Sequence, residues 1–226
     1  MKPLVIIPAR GGSKRLPGKN ILPLNNKPLI QYTIDAARVV FDDSIICVST
    51  DDESIKAVVE KNGLRVPFLR PQSLSTDTAD TRSVLLHAFD FYKRKKNYEA
   101  DTIVLLQPTS PLRNSSHIME CLELFDNRID QVLSVKETDA NPYFLLYEEN
   151  NEGYIEKVLP GNYTRKQDSP IVYEINGAIY VINVRSLLDN ETLTFRKTKK
   201  YVMDKKSSID IDDEFDFNLV EFILER

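Results

Sequence analysis

A chain of 226 residues, 42% hydrophobic and 28% charged, suits one α/β domain with its own core. The net charge of −4 argues against a general nucleic-acid binder, and no apolar run approaches the length of a membrane span. The opening residues show no charged-then-apolar leader pattern, so a cytoplasmic protein with no membrane partner is expected.

The pattern along the chain alternates strand and helix. Leu4–Ile7 is a short β-branched run ending at Pro8, read as a buried strand, and a loop rich in Gly and cations follows from Ala9 to Asn20. Ile30, Ile34, Ala37 and Phe41 recur at helical spacing. Ile45–Val48 reads as a second strand, with cap oxygens in 49–52 for a helix carrying Ile55, Val58 and Val59 and stopping near Gly63. Val66–Leu69 reads as a short third strand. A helix with Val84, Leu85, Ala88 and Tyr92 on one face precedes a fourth strand, Ile103–Leu106. Ile118, Leu122 and Phe125 mark the next helix, and Gln131–Val135 the fifth strand. Such alternation is the mark of βαβ units, and strands apolar throughout are covered on both faces. Residues 139–175 break the pattern and read as an inserted arm within a single domain spanning 1–226. Gly177–Ile182 returns to strand, and Phe215, Leu219, Phe222 and Ile223 form a closing helix. The expected fold class is a three-layer α/β domain of Rossmann-like type: a mostly parallel sheet flanked by helices, with a small inserted arm.

Charge is placed unevenly. The first 34 residues hold no acid but six cations, Lys2, Arg10, Lys14, Arg15, Lys19 and Lys27, while the stretch from Asp204 to Asp216 is acidic. The loop after the first strand leaves the carboxyl end of that strand, where ligands bind in open α/β sheets. Gly11 and Gly12 would let backbone N–H groups approach phosphate oxygens, Ser13 adds a hydroxyl, and Arg10, Lys14, Arg15 and Lys19 supply charge. This is neither a P-loop nor a dinucleotide fingerprint. In Ser208–Glu214, Asp210 and Asp212 would project to one side of an extended segment, which suits a divalent cation; alternatively they only join Asp213, Glu214 and Asp216 in complementing a helix start. Gln107 in Gln107–Pro111 suits a sugar hydroxyl or carboxylate, or the segment is only a strand-to-helix turn. Arg70, in the segment Arg70–Thr81, is a further cation or a surface arginine beside a helix cap. Cys47 and Cys121 read as inert thiols, and His87 and His117 as structural.

Taken together and in order, these segments resemble the acylneuraminate cytidylyltransferase family (CMP-sialic acid synthetases), which are nucleotidyltransferases. The matching stretches are Ala9–Asn20, Arg70–Thr78, Leu105–Arg113, Asn176–Tyr180 and Ser208–Asp212. The resemblance covers nearly the whole chain. It implies that CTP is joined to a nine-carbon 2-keto sugar acid, N-acylneuraminate or a relative such as legionaminate, with release of pyrophosphate. It implies Arg10, Lys19 and Asp212 as catalytic residues. Arg10, Gly11, Gly12, Ser13, Lys19, Asn20, Arg70 and Thr81 would bind the nucleotide, and Gln107, Tyr180, Arg165 and Lys166 the sugar. Asp210 and Asp212 would hold Mg2+ or Mn2+. Family members pair through the segment corresponding to 139–175, so a homodimer is implied, with Arg165 or Lys166 reaching the partner's sugar site. The pattern departs at Tyr143–Phe144 and Glu174–Ile175, where some sialic-acid members carry Lys and Arg-Pro, which leaves the particular sugar open. The competing expectations are a CMP-Kdo-type or other sugar nucleotidyltransferase of the same fold, and a nucleotide-binding protein without activity.

Overall fold

The computed structural model describes residues 1–76 and 78–226. In chain order, β1 (Pro3–Pro8) leads through the basic loop to a small hairpin of β2 (Pro23–Leu24) and β3 (Lys27–Pro28). Asn25 and Asn26 make its turn at positive φ, 45° and 63°, a conformation asparagine tolerates. Then come α1 (Leu29–Arg38), β4 (Ile46–Ser49), α2 (Glu53–Lys61), α3 (Thr81–Lys95), β5 (Thr102–Leu106), α4 (Ser115–Glu123) and β6 (Gln131–Glu137). The arm carries a hairpin, β7 (Tyr147–Glu149) with β8 (Ile155–Lys157). β9 (Tyr173–Asn183), α5 (Val184–Asp189), β10 (Thr198–Val202) and α6 (Glu214–Leu224) complete the chain.

Six strands form the main sheet in the order β10-β6-β9-β5-β1-β4. Every pairing is parallel except those of β9, which runs antiparallel to both β5 and β6. The reason is the connection: no crossover helix lies between β6 and β9, only the arm, so the chain returns as an enlarged hairpin. Alternate strand residues serve two cores. Val5, Ile7, Val48, Val104 and Val181 pack with α1, α2 and α4, whereas Leu4, Ile6, Cys47, Ile103 and Ile182 pack with α3 and α5. The three layers expected from the apolar strands are present, and burial of whole aliphatic side chains, about 1.5–3 kcal/mol each, is their main support.

Four local readings differ. Val66–Leu69 makes only one bridge, Leu69 to Thr50, because Pro67 has no N–H to donate. β10 and α5 are additions; β10 is an edge strand whose Lys199 and Lys200 break the apolar pattern that marks inner strands. The arm ends sooner than 175, since Tyr173, Glu174 and Ile175 already pair with β6. The closing helix exists, but Phe215, Leu219 and Phe222 face outward; Phe217, Val220 and Leu224 are the residues that pack on Leu24, Leu29 and Ile211. With apolar residues on both sides of α6, spacing alone could not choose the buried face.

Candidate active site

The carboxyl ends of β1 and β5 open into a cavity of about 620 Å³. Pro8 and the loop after it form one wall, Gln107, Pro108 and Thr109 another, and Thr76, Ala79, Thr81 and Val84 a third. Thr81 opens α3, so the positive end of that helix dipole faces the cavity. Arg10, Lys14, Arg15, Lys19 and Arg70 line it, with Asp212 as the one lining carboxylate among the described residues.

The arrangement is fixed by specific contacts. Arg70 is buried, contrary to a surface arginine; its Nε donates to Ser75 Oγ at 3.0 Å and its Nη2 to Asp51 Oδ1 at 3.5 Å. Burial pushes its pKa down, Asp51 opposes this, and the neighbouring Arg10 pushes it further down. Asn20 is buried, with Nδ2 donating to the Arg10 carbonyl at 3.0 Å, while its Oδ1 accepts from no described residue. That leaves a buried acceptor at the cavity wall for a ligand donor such as an amino group.

Asp51 is a residue the sequence reading missed. Its Oδ1 also accepts from the Gly11 N–H at 3.2 Å, so that N–H is committed inside the protein rather than to a phosphate. Gly11 is glycine for a different reason from the one expected. A Cβ there would overlap the Asp52 carboxylate, and Asp52 is the cap that accepts from Ser54 N and Ile55 N at the start of α2. The signal was present in Ser49–Asp52 at the end of β4, the strand beside β1, but its acids were read as caps alone. Gly12 has open space around it, and Ser13 lines the cavity.

The acidic segment is tethered beside the cavity at several points. Ile211 is buried; its N–H donates to the Thr109 carbonyl at 2.8 Å, and its carbonyl accepts from Lys19 Nζ. Asp212 lies 3.3 Å from Arg15 Nη1 and 3.8 Å from Lys19 Nζ. The Asp210 carboxyl is held above its ordinary range, first by desolvation and then by the Asp212 charge, against the Thr109 hydrogen bond and Lys19. Upstream, Ser208 Oγ accepts from Asn176 Nδ2 at 2.9 Å, and Asn176 Oδ1 accepts from Ser134 Oγ at 2.6 Å. All three are buried, at the register shift between Leu133 and Val135 that Gly177 permits with φ 74°. The Asn176–Tyr180 and Ser208–Asp212 stretches, distant in sequence, therefore meet.

A family model described as cytidylyltransferase matches residues 4–224. The chain belongs to the cytidylyltransferase family. It is 39% identical over 221 residues to an N-acylneuraminate cytidylyltransferase of Streptococcus agalactiae, covering 96% of this chain and 52% of that protein. It is 34% identical to a CMP-N,N'-diacetyllegionaminic acid synthase of Legionella pneumophila, covering 100% of this chain and 97% of that one. The chain thus spans about half the length of several curated relatives and nearly all of others. A solved CMP:2-keto-3-deoxy-manno-octonic acid synthetase complexed with CTP superposes with TM-score 0.73 at 20% identity, covering 100% of this chain and 99% of that one, a likeness of fold.

In this cytidylyltransferase-family chain, Arg10, Ser13, Lys19, Asn20, Arg70, Thr81, Gln107 and Asp212 are brought to one cavity. Gly11, Gly12, Asp210 and Tyr180 lie outside its lining. Tyr180 belongs to β9 between Leu105 and Leu133, and its hydroxyl pKa is raised by burial and then by Asp210, which puts it within reach of that carboxylate's field. Arg165 and Lys166 are elsewhere, on the arm, paired with Asp168 at 2.8 Å and Asp139 at 3.2 Å. Asp77, part of the Arg70–Thr78 stretch, is outside the described residues. Both cysteines are buried, with thiol pKa values pushed up by burial, Cys121 to about 12. His117 caps α4, its Nδ1 accepting from Asn114 N, and His87 packs edge-on against Phe68. Among the described residues no helix is long and apolar enough to cross a membrane.

Proposed function

We propose that the chain couples CTP to the anomeric hydroxyl of a nine-carbon 2-keto sugar acid, releasing pyrophosphate. The observation that carries this reading is the convergence of Arg10, Lys14, Arg15, Lys19 and Arg70 on one cavity, with the Asp210–Asp212 segment at its rim, in a chain of this family. Relatives named for N-acylneuraminate, legionaminic acid and pseudaminic acid support the substrate class.

Arg10, Lys14, Arg15 and Lys19 would lie along the triphosphate. As the bond from the α-phosphorus to the bridging oxygen breaks, charge grows on the leaving pyrophosphate, and Arg10 and Lys19 stabilise it without reorganising. Asn20, Arg70 and Thr81 hold the nucleoside, and Asn20 Oδ1 suits the amino group of cytosine. Gln107 at the end of β5 orients the sugar acid, with Tyr180 beside Asp210.

The acidic pair fits a divalent cation. Two like charges are close enough that Asp212 helps raise the Asp210 carboxyl, and a cation would relieve both. Mg2+ is commonly held by one or two carboxylates and completes its shell from phosphate and water. Asp210 and Asp212 would hold Mg2+ or Mn2+, which when bound supplies polarisation of the α-phosphate and a lowered pKa for the attacking hydroxyl.

The arm leaves Leu145, Tyr147, Tyr154 and Ile155 exposed, and patches of this kind mark interfaces. We infer a homodimer formed through the arm, with Arg165 and Lys166 exchanging their partners Asp168 and Asp139 for the sugar carboxylate of the other subunit. Mixing Arg165→Ala/Lys166→Ala subunits with Asp212→Asn subunits then restores activity, since one site per mixed dimer carries neither defect; no gain with subunit exchange confirmed refutes the reach. For the reaction itself, pyrophosphate release is measured with CTP, UTP and ATP against a panel of nine-carbon and eight-carbon sugar acids. Turnover with CTP and a nine-carbon acid is expected; turnover with UTP but not CTP would end the reading.

A further inference from the structure

Arg113 is the largest of the fully buried side chains, 1% exposed, and no carboxylate lies within ion-pairing distance of it among the described residues. Its Nη2 donates to Thr33 Oγ1, to the Gln107 carbonyl at 3.3 Å and, at a longer 3.5 Å, to the Ser110 carbonyl. Its Nε and Nη1 have no acceptor among the described residues. Burial pushes the pKa down to about 9, which leaves a cation at neutral pH. Its field is felt at His117, whose pKa is lowered chiefly by burial and, last among the causes, by Arg113; Asp204 and Glu120 act on His117 in the opposite sense, and neither pairs with Arg113.

A buried charge without a partner is strongly unfavourable, and apolar groups of similar size normally serve better. As a strut alone, one hydrogen-bond donor would hold the Gln107 and Ser110 carbonyls. The guanidinium, however, donates to the Gln107 and Ser110 carbonyls, which bracket Pro108 and Thr109, and Gln107, Pro108 and Thr109 line the cavity. We propose that the missing counter-ion of Arg113 is the ligand: its charge acts through the loop 107–110 as a sixth, hidden cation of the phosphate and carboxylate site, beside Arg10, Lys14, Arg15, Lys19 and Arg70. Exposed lysines and arginines are screened by salt; a charge sealed beneath the cavity wall in a medium of low polarisability is not. This rests on the reading of the cavity as a polyanion site, but not on which base or sugar is bound.

Titration calorimetry with inorganic phosphate, pyrophosphate and tripolyphosphate tests it, using the whole chain at pH 6.5. Arg113→Met removes the charge and keeps the bulk. Its expected loss of affinity grows with probe charge, smallest for phosphate and largest, well above about tenfold, for tripolyphosphate, because the Coulomb energy scales with the charge of the anion. The ratio of wild-type to variant affinity should hold between low and high salt, and Tm should not fall. Arg113→Lys, which keeps the charge but not the fork, should bind the three probes within about threefold of wild type. An equal loss for all three probes, or a lysine variant as weak as the methionine one, would overturn the proposal in favour of a strut. If the methionine variant does not fold, the lysine variant decides alone. Wild-type binding of tripolyphosphate but not of CTP would sink the cytidylyl reading while leaving this result intact.

Discussion

Replacing Asp212 by Asn separates catalysis from stability. Asp212 lies 3.3 Å from Arg15 and 3.8 Å from Lys19, and its side chain is 59% exposed. In water two unit charges at such distances attract by about 1 kcal/mol, and salt and side-chain entropy reduce an exposed pair to roughly 0.2–1 kcal/mol. Loss of both pairs is offset in part by removing the repulsion on Asp210. The net change in stability should therefore stay near 1 kcal/mol, a shift in Tm of about 2–4 °C for a chain of this size. The rate should fall much further. An amide is a poor ligand for Mg2+, and losing one preorganised electrostatic group costs about 10²-fold or more. Initial rates of pyrophosphate release at saturating substrates, with thermal melts of both proteins, give the comparison. A variant within a few-fold of wild-type rate would show Asp212 to be a helix-start acid and nothing more. A large fall in Tm with a proportionate fall in rate would refute the separation.

Asp210→Asn should raise Tm in nucleotide-free protein while removing activity. The folded-state pKa of Asp210 is raised above 3.8, so the folded state binds its proton more tightly than the unfolded state does. Wild-type stability contributed by the protonated form is present below 3.8 and lost as pH rises through the folded value; melts from acid to neutral pH should show the variant gaining over wild type across that window, and equal curves would contradict it. Asn176→Ala strands the buried Ser134 and Ser208 hydroxyls, costing roughly 1–3 kcal/mol, and lets the Asp210 segment drift: kcat should fall while the Kd for CTP stays within a few-fold by calorimetry. Gly11→Ala drives a Cβ into Asp52, so either the loop shifts or the cap of α2 is lost at about 1 kcal/mol. Both outcomes lower Tm and weaken CTP binding, and an unchanged variant would refute the close approach.

Most of the fold was legible because inner strands carry apolar residues on both faces and helices carry them on one. The chemistry-bearing loops stood at strand ends with unmistakable charge. What escaped has physical causes. β10 is an edge strand with lysines at its centre, and α6 is apolar on both sides. Gly11 looked like a phosphate glycine because glycine next to cations has that meaning; only the packing of Asp52 shows the tighter constraint. Asp51 was hidden by its own neighbour, since an acid before a helix reads as a cap. Arg113 ended the matching Leu105–Arg113 stretch but carried no role there, and only the structure shows that its guanidinium is buried. The link from Asn176 to Ser208 required the register of β9 against β6, which spacing cannot supply.

The most direct test of the central claim follows phosphorus. With CTP, Mg2+ and a nine-carbon 2-keto sugar acid, 31P NMR should show the three CTP resonances replaced by one phosphodiester signal and pyrophosphate, in equal molar amounts, and only when the sugar is present. Persistence of CTP with every such sugar, or its conversion to CDP and inorganic phosphate, would contradict attack at the α-phosphate and with it the account given of Arg10, Lys19, Asp210 and Asp212.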